Sequence, residues 1–153
     1  MADTSPIENK IGLLIWKTSN FWQSNLRKIL SHYNLTINEF LVLQSVIYLM
    51  EKNFSIHQNE ISKFIGIDIS VTSVTLKLLE RKKYISRGFN NDNRKKIIKI
   101  LKNGNDLFQI VHPLVIKKEE EIFSKLNNET FNFTNSLKLL LGKKIRIKAE
   151  KES

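Results

Sequence analysis

Ten basic side chains crowd into residues 77–102, and they carry the clearest chemical signature of this 153-residue sequence. Only two acidic residues, Glu80 and Asp92, lie among them, so this stretch holds +8 of the net charge of +10. Clustered cations bind the phosphates of a polyanion; nucleic acid is the commonest one in a cytosol, and a membrane surface is the rival. The basic residues are Lys77, Arg81, Lys82, Lys83, Arg87, Arg94, Lys95, Lys96, Lys99 and Lys102.

Small polar side chains lie just before this stretch. They belong to a helix predicted from about Val71 to Lys82, with Ser70 as its cap. A helix that lies in the major groove of DNA needs such side chains where it approaches the base edges. The residues expected to face DNA are Ser70, Thr72, Ser73 and Thr75. The apolar residues expected to hold the helix on the domain are Val71, Val74, Leu78 and Leu79.

A change from helical to alternating spacing predicts a β-hairpin with a polar tip over residues 84–101. The tip runs from Asn90 to Arg94 and consists of turn formers. The planar guanidinium of Arg94 suits a narrow minor groove, and Asp92 can hold the tip through a charge-assisted hydrogen bond. The other basic residues expected to contact DNA are Lys77, Arg81, Arg87, Lys95 and Lys96.

Helical spacing of the apolar residues predicts that most of the remaining chain is α-helical. Pro6 suits a helix start, Thr36 and Glu39 match a capping box, and Pro113 is expected to kink a long helix. The predicted fold class is mainly α with a small β-hairpin wing, a winged helix-turn-helix between N- and C-terminal helices. The predicted helices cover about residues 7–30, 38–50, 58–64, 71–82, 105–126 and 129–142.

The residues that other function classes require do not occur in suitable patterns. There are no cysteines, and His32, His57 and His112 lack metal-site spacing, so we expect no metal and no other cofactor. No nucleophile–base pair or glycine-rich phosphate loop indicates an enzyme. The N-terminus does not read as a signal peptide, and no apolar run approaches the roughly 20 residues that span a bilayer. We therefore expect a cytoplasmic protein without a membrane partner.

In their order and spacing, these segments resemble the MarR (multiple antibiotic resistance repressor) family of bacterial regulators. The family pattern at the hairpin is Asp-x-Arg, a strand, and then Leu-Thr-x-x-Gly. Here Lys102 stands where the family has Thr, and the spacing to Gly104 is one residue shorter. The resemblance in register covers about residues 35–110. It is carried by Leu35–Leu43, Gln58–Ile67, Ser73–Ile85, Asp92-Asn93-Arg94, Ile98, Leu101 and Gly104.

The resemblance implies a homodimer whose first helix and last two helices form the dimerisation layer. It also implies that the recognition helix enters the major groove while the wing reaches the minor groove. Within a single domain of residues 1–153, we expect residues 34–102 to form the winged helix-turn-helix DNA-binding lobe, and residues 5–33 and 103–147 to form the dimerisation helices. The broad apolar face of residues 7–30 fits a dimer layer independently.

A small aromatic or anionic effector is a further implication of the resemblance, bound between the dimerisation layer and the DNA-binding lobe. The candidates for contacting it are Trp16, His32 and His112. For Trp16, with Phe21 and Trp22, core or dimer packing is the favoured interpretation, because aromatic residues at helical spacing are usually core.

Together these features predict a transcriptional regulator, repressor or activator, that binds double-stranded DNA as a homodimer on a pseudo-palindromic operator and responds to a small-molecule effector. The alternative is a DNA-binding regulator without such a switch, either constitutive or controlled by a protein partner. A protein-interaction or membrane-surface adaptor would also fit the basic charge, but it leaves the hairpin tip unexplained.

Overall fold

The computed structural model of the chain describes residues 6–52, 55–89 and 96–143. The chain divides into two compact units, Met1–Ile116 and Lys117–Ser153. The predicted fold class is confirmed: helices dominate, and one antiparallel hairpin follows the fourth helix. The elements are α1 (Ile11–Leu30), a 3-10 turn (Ser31–Tyr33), α2 (Ile37–Lys52), α3 (Gln58–Ile65), α4 (Ile69–Arg81), β1 (Ile85–Phe89), β2 (Lys96–Ile100), α5 (Lys102–Phe123), a 3-10 segment (Ser124–Glu129) and α6 (Thr130–Leu140).

The core of the first unit collects the apolar faces of its helices and the inner side of the hairpin. Phe40 of α2 stacks on Phe108 of α5 with 5.7 Å between the ring centroids. Burying one large apolar side chain contributes roughly 1.5–3 kcal/mol, so this cluster drives the folding of the unit. The buried apolar residues are Leu26, Leu30, Leu35, Phe40, Val42, Leu43, Val46, Ile56, Ile61, Leu76, Leu79, Ile85, Ile98, Phe108, Val111 and Val115.

The capping box predicted at the start of α2 is confirmed. The Glu39 N–H donates to the Thr36 hydroxyl and the Thr36 N–H donates to the Glu39 carboxylate, both at 3.1 Å. The Glu39 side chain is only 2% exposed, and its other oxygen lies 2.7 Å from the Lys82 ammonium. A buried carboxylate is costly unless it is paired. Lys82 therefore fastens the end of α4 to the start of α2.

The hairpin pairs Ile85 with Ile100 at its base and Phe89 with Lys96 near its tip. Ile85 and Ile98 are buried on its inner side. The Ile98 N–H also donates to the carbonyl of Ile56 at 2.9 Å, so the chain before α3 lies along β2. The base of the wing is thus held on the core both by its buried isoleucines and by the hydrogen bond to the segment before α3.

Gly104 lies in the first turn of α5, where the helix passes the backbone of Tyr84. A Cβ atom at Gly104 would overlap the carbonyl group of Tyr84. That same carbonyl accepts the Leu101 N–H at 2.9 Å, so the close approach is held in place. Helix α5 begins at Lys102, so Gly104 lies inside the helix and not before it as predicted.

The second unit contains the end of α5, the 3-10 segment and α6. Helix α6 ends in a left-handed turn at Gly142, which has φ +73°. The Gly142 N–H donates to the Leu139 carbonyl, and the Lys143 N–H donates to the Lys138 carbonyl at 2.8 Å. This is the pairing by which a glycine satisfies the last carbonyls of a helix.

Other predicted boundaries differ slightly from the structure. Helix α1 begins at Ile11, whereas residues 6–9 form turns. Helix α5 continues through Pro113 to Phe123, because the proline removes only one donor from a long ladder of hydrogen bonds. Across residues 6–52, 55–89 and 96–143, no helix has the length and apolar character needed to cross a membrane.

Candidate nucleic-acid interface

Helices α3 and α4, with the turn between them, form the helix-turn-helix. Gly66 ends α3 with φ +80°, in the left-handed region that glycine adopts readily, and its N–H donates to the Ser62 carbonyl at 2.8 Å. Asp68 then caps α4, since its carboxylate accepts the Ser70 N–H at 2.8 Å and the Ser70 hydroxyl at 2.6 Å. These hydrogen bonds lower the pKa of Asp68. Ser70, predicted to be the cap, instead lies in the first turn.

The face of α4 that packs into the domain is not the predicted one. Its buried residues are Thr72, Thr75, Leu76 and Leu79. The Thr72 hydroxyl accepts from the Ser62 hydroxyl at 2.8 Å and donates to the Asp68 carbonyl at 3.1 Å. The Thr75 hydroxyl donates to the Val71 carbonyl at 2.8 Å. Because these hydroxyls are satisfied, they are buried at little cost. The prediction that Thr72 and Thr75 face base edges is therefore wrong.

The opposite face of α4 is directed to solvent. Four exposed residues recur along it at helical spacing, and Ser73 lies half-buried at its edge. Lys77 and Arg81 bring two cations to this face, one turn apart. The four exposed residues are Ser70, Val74, Lys77 and Arg81. Of the predicted DNA contacts on α4, Ser70, Lys77 and Arg81 thus share one accessible surface.

Three of the four residues predicted to anchor α4 are not buried. Val74 is 58% exposed, Val71 40% and Leu78 37%. Only Leu79 is buried as predicted. The spacing of Leu76 and Leu79, with Lys77 and Arg81 opposite, was the signal that would have identified the correct face.

Arg87 is held in an ion pair with α4. Its guanidinium donates to both carboxylate oxygens of Glu80, at 3.2 and 3.4 Å, and the side chain is only 9% exposed. This hydrogen bonding to Arg87 lowers the pKa of Glu80. The guanidinium of Arg87 thus couples β1 to α4, and its contact with DNA stays a prediction.

The described part of the wing presents further cations. Lys96 and Lys99 are exposed on β2, and the Lys96 ammonium lies 5.7 Å from the centroid of the Phe89 ring. Asp92, Arg94 and Lys95 lie outside the described residues, so their contacts with DNA stay predictions.

A shallow surface depression of about 300 Å³ lies where the wing meets the helix-turn-helix. His57 Nδ1 is 3.2 Å from the Lys96 carbonyl oxygen, and the Gln58 amide donates to the Ile69 carbonyl at 3.2 Å. These contacts tie the start of α3 both to β2 and to the start of α4. The depression is lined by His57, Gln58, Asn59 and Lys96.

The three candidate effector contacts lie on three elements. Trp16 is 67% exposed on α1, and His32 is exposed in the 3-10 turn that follows. His112 is half-buried on α5 with its ring stacked 4.8 Å from that of Phe108. A shared effector pocket stays a prediction. In the described parts of the chain, no three His, Asp or Glu side chains group as metal ligands.

Comparisons with known proteins bear on this arrangement. No protein-family model matches the chain. The uncharacterized HTH-type transcriptional regulator YdcH of Bacillus subtilis (strain 168) is 27% identical over 140 residues, which is 91% of each chain. The apo structure of wild-type MarR from E. coli is 25% identical, with a TM-score of 0.68 over 86% of this chain and 97% of that one. The chain has the fold of the MarR-family transcriptional regulators.

A second MarR-family neighbour is S. aureus MepR, solved as a complex with DNA. It is 22% identical, with a TM-score of 0.78 over 88% of this chain and 96% of that one. The resemblance inferred from the sequence is thus confirmed, and these relatives are transcriptional regulators rather than enzymes.

Proposed function

We propose that this chain is a DNA-binding transcriptional regulator that acts in the cytoplasm as a homodimer on a pseudo-palindromic operator. The observation that carries the proposal is the outward face of α4, where Lys77 and Arg81 are exposed beside a wing that exposes Lys96 and Lys99. A helix with such a face suits the major groove, and the cations neutralise phosphates. The DNA complex of MepR, which shares the fold, supports the same interpretation.

The homodimer is supported by large apolar side chains that are exposed in the described part of the protomer. Contiguous exposed apolar surface marks interaction sites. On α1 these residues are Ile11, Leu14, Ile15, Trp16 and Phe21, and on α6 they include Phe131, Phe133, Leu137, Leu139 and Leu140. We assign residues 34–102 to the DNA-binding lobe, and 5–33 and 103–147 to the dimerisation helices. A twofold dimer would present its two α4 helices about 34 Å apart, matching half-sites one DNA turn apart.

The salt dependence of binding tests this proposal. The probe is a labelled duplex selected by the protein from a random library, and its affinity is measured over a range of salt concentrations. Each phosphate contact adds about 0.9 to the slope of log affinity against log salt. We expect Arg81→Ala to weaken binding and to lower this slope by about 1.

Lys52→Ala provides the matched control, because it removes the same charge from an exposed position at the end of α2, outside the dimerisation helices and away from the outward face of α4. Its affinity and slope should equal those of the wild type. If Arg81→Ala behaves like this control, the outward face of α4 is not a DNA element. The same measurement on Arg94→Ala decides whether the wing tip contributes.

The proposal also includes a small-molecule effector, for which Trp16, His32 and His112 are the candidate contacts. A ligand that binds only the folded protein raises its melting temperature, by an amount that grows with the ratio of ligand concentration to dissociation constant. We expect at least one small aromatic acid to raise the melting temperature and to weaken operator binding. If a broad set of such acids does neither, a regulator without a small-molecule switch is the better description.

A further inference from the structure

The outward face of α4 has an apolar centre. Val71, Val74 and Leu78 follow one another at intervals of three and four residues, so they form one stripe along the helix. Val74 is the most exposed of them, at 58%. Ser70 lies one turn before it, and Arg81 lies two turns after it. The centre of the face that we assign to DNA is therefore a branched hydrocarbon rather than a hydrogen-bonding group.

This stripe is not needed to hold α4 on the domain. The inner face is already filled by Leu76 and Leu79, which are fully buried, together with the hydrogen-bonded Thr72 and Thr75. Valine is also a weaker helix former than alanine or lysine, so local helix stability does not favour it at position 74. Val71 and Leu78 are partly covered by the domain, whereas Val74 is mostly exposed and contributes least to the packing of the described protomer.

The surrounding charge selects the kind of surface that can cover the stripe. Lys77 and Arg81 flank it, while Glu80, the one acidic residue of α4, is engaged by Arg87. A partner surface that contacts the stripe must therefore be anionic around its edge and apolar at one point near its centre. The major groove of DNA meets both conditions, since phosphates line it and the C5 methyl group of thymine is the one apolar group that bases present there.

We propose, building on the function proposed above, that Val74 reads the C5 methyl group of a thymine in each operator half-site, with Val71 extending the contact. A valine has no donor or acceptor. Placed over a G·C pair, it would cover polar groups of the base edge without satisfying them. Over an A·T pair it packs against the methyl group. Val74 is thus a specificity-determining residue, and Lys77 and Arg81 supply affinity that does not depend on sequence.

Removal of the thymine methyl group tests this inference. Full-length protein is used to select duplexes from a random library about 20 base pairs long, enough for two half-sites. In the most enriched duplex, each thymine is then replaced singly by deoxyuridine, which pairs identically but lacks the methyl. Burying one such carbon contributes a factor of about fourfold in affinity. We expect one or two thymines per half-site to show a loss of about three- to fivefold, with the other thymines as internal controls.

Val74→Ala completes the test as a double-mutant cycle. Because Val74 is exposed and alanine is a better helix former, this variant should fold like the wild type, which circular dichroism checks. The deoxyuridine penalty should fall to near onefold in Val74→Ala and persist in Met50→Ala, a control at another exposed apolar residue.

Two different failures are distinguishable. If no duplex is enriched, the proposed function fails and this inference falls with it. If a duplex is enriched but no deoxyuridine weakens binding, the function stands and the inference is overturned. An equal penalty in the wild type and Val74→Ala also overturns it, because another residue then reads the methyl group.

Discussion

The orientation of α4 depends on a pair of buried hydroxyl groups. Thr72 is fully buried, and its hydroxyl bridges the Ser62 hydroxyl of α3 and the Asp68 carbonyl before α4. Turning the helix about its axis would break the hydrogen bond to Ser62 inside the core, whereas the bond to Asp68 lies within the first turn of α4 and would turn with it. This arrangement keeps Ser70 and Val74 on the solvent side.

Removing the Thr72 hydroxyl should therefore cost more free energy than one hydrogen bond contributes, because the buried Ser62 hydroxyl then lacks its partner. Thr72→Val keeps the shape but leaves the Ser62 donor and the Asp68 acceptor without this partner. We expect the free energy of unfolding in urea to fall by about 1–3 kcal/mol. Thr72→Ser, which keeps the hydroxyl, is the control for the hydrogen bonds.

Combining Thr72→Val with Ser62→Ala should cost less than the sum of the two single changes, because each change already removes the same hydrogen bond. The expected coupling is at least about 0.5 kcal/mol. If the two effects add, the hydroxyl pair does not act as a unit and some other contact sets the orientation of α4.

At the scale of elements, local signals were sufficient to predict where most helices and the hairpin lie. The capping box at Thr36 and Glu39 depends on residues three apart, and the alternation around Ile98 depends on neighbours two apart. Such signals can be recognised in the sequence because the groups that satisfy one another are close along the chain. The wing and the helix-turn-helix were identified on this basis.

The spacing of Leu76 and Leu79 indicates the inner face of α4, but no local signal shows that the hydroxyls of Thr72 and Thr75 are satisfied there. Average burial predicts Val71 and Val74 in the core and Thr72 and Thr75 at the surface. The structure reverses this, because the partner that satisfies Thr72 is Ser62 on a different helix. The Lys82–Glu39 ion pair likewise joins residues far apart in the sequence. Because these partners are distant in the sequence, local patterns do not show that Thr72 and Lys82 are engaged within the protomer.

At the scale of the whole molecule, the basic charge has two roles. Lys82 and Arg87 are used inside the protomer, where they pair with Glu39 and Glu80. Lys77, Arg81 and the exposed lysines of β2 remain at the surface. The proposed DNA-binding surface is therefore smaller than the basic stretch of the sequence, and it centres on α4. Self-association would double it and space the two copies for an operator.

Site-directed cleavage of DNA tests the central claim most directly. The natural chain contains no cysteine, so Ser70→Cys creates a unique attachment point for an iron–EDTA group on the exposed start of α4. On a selected duplex, we expect cleavage at two places about one DNA turn, or roughly 10 base pairs, apart. The control, Glu51→Cys at the exposed end of α2 and outside the dimerisation helices, should give no localised cleavage. Cleavage from Ser70→Cys that is no stronger than from this control would contradict the assignment of α4 to the major groove.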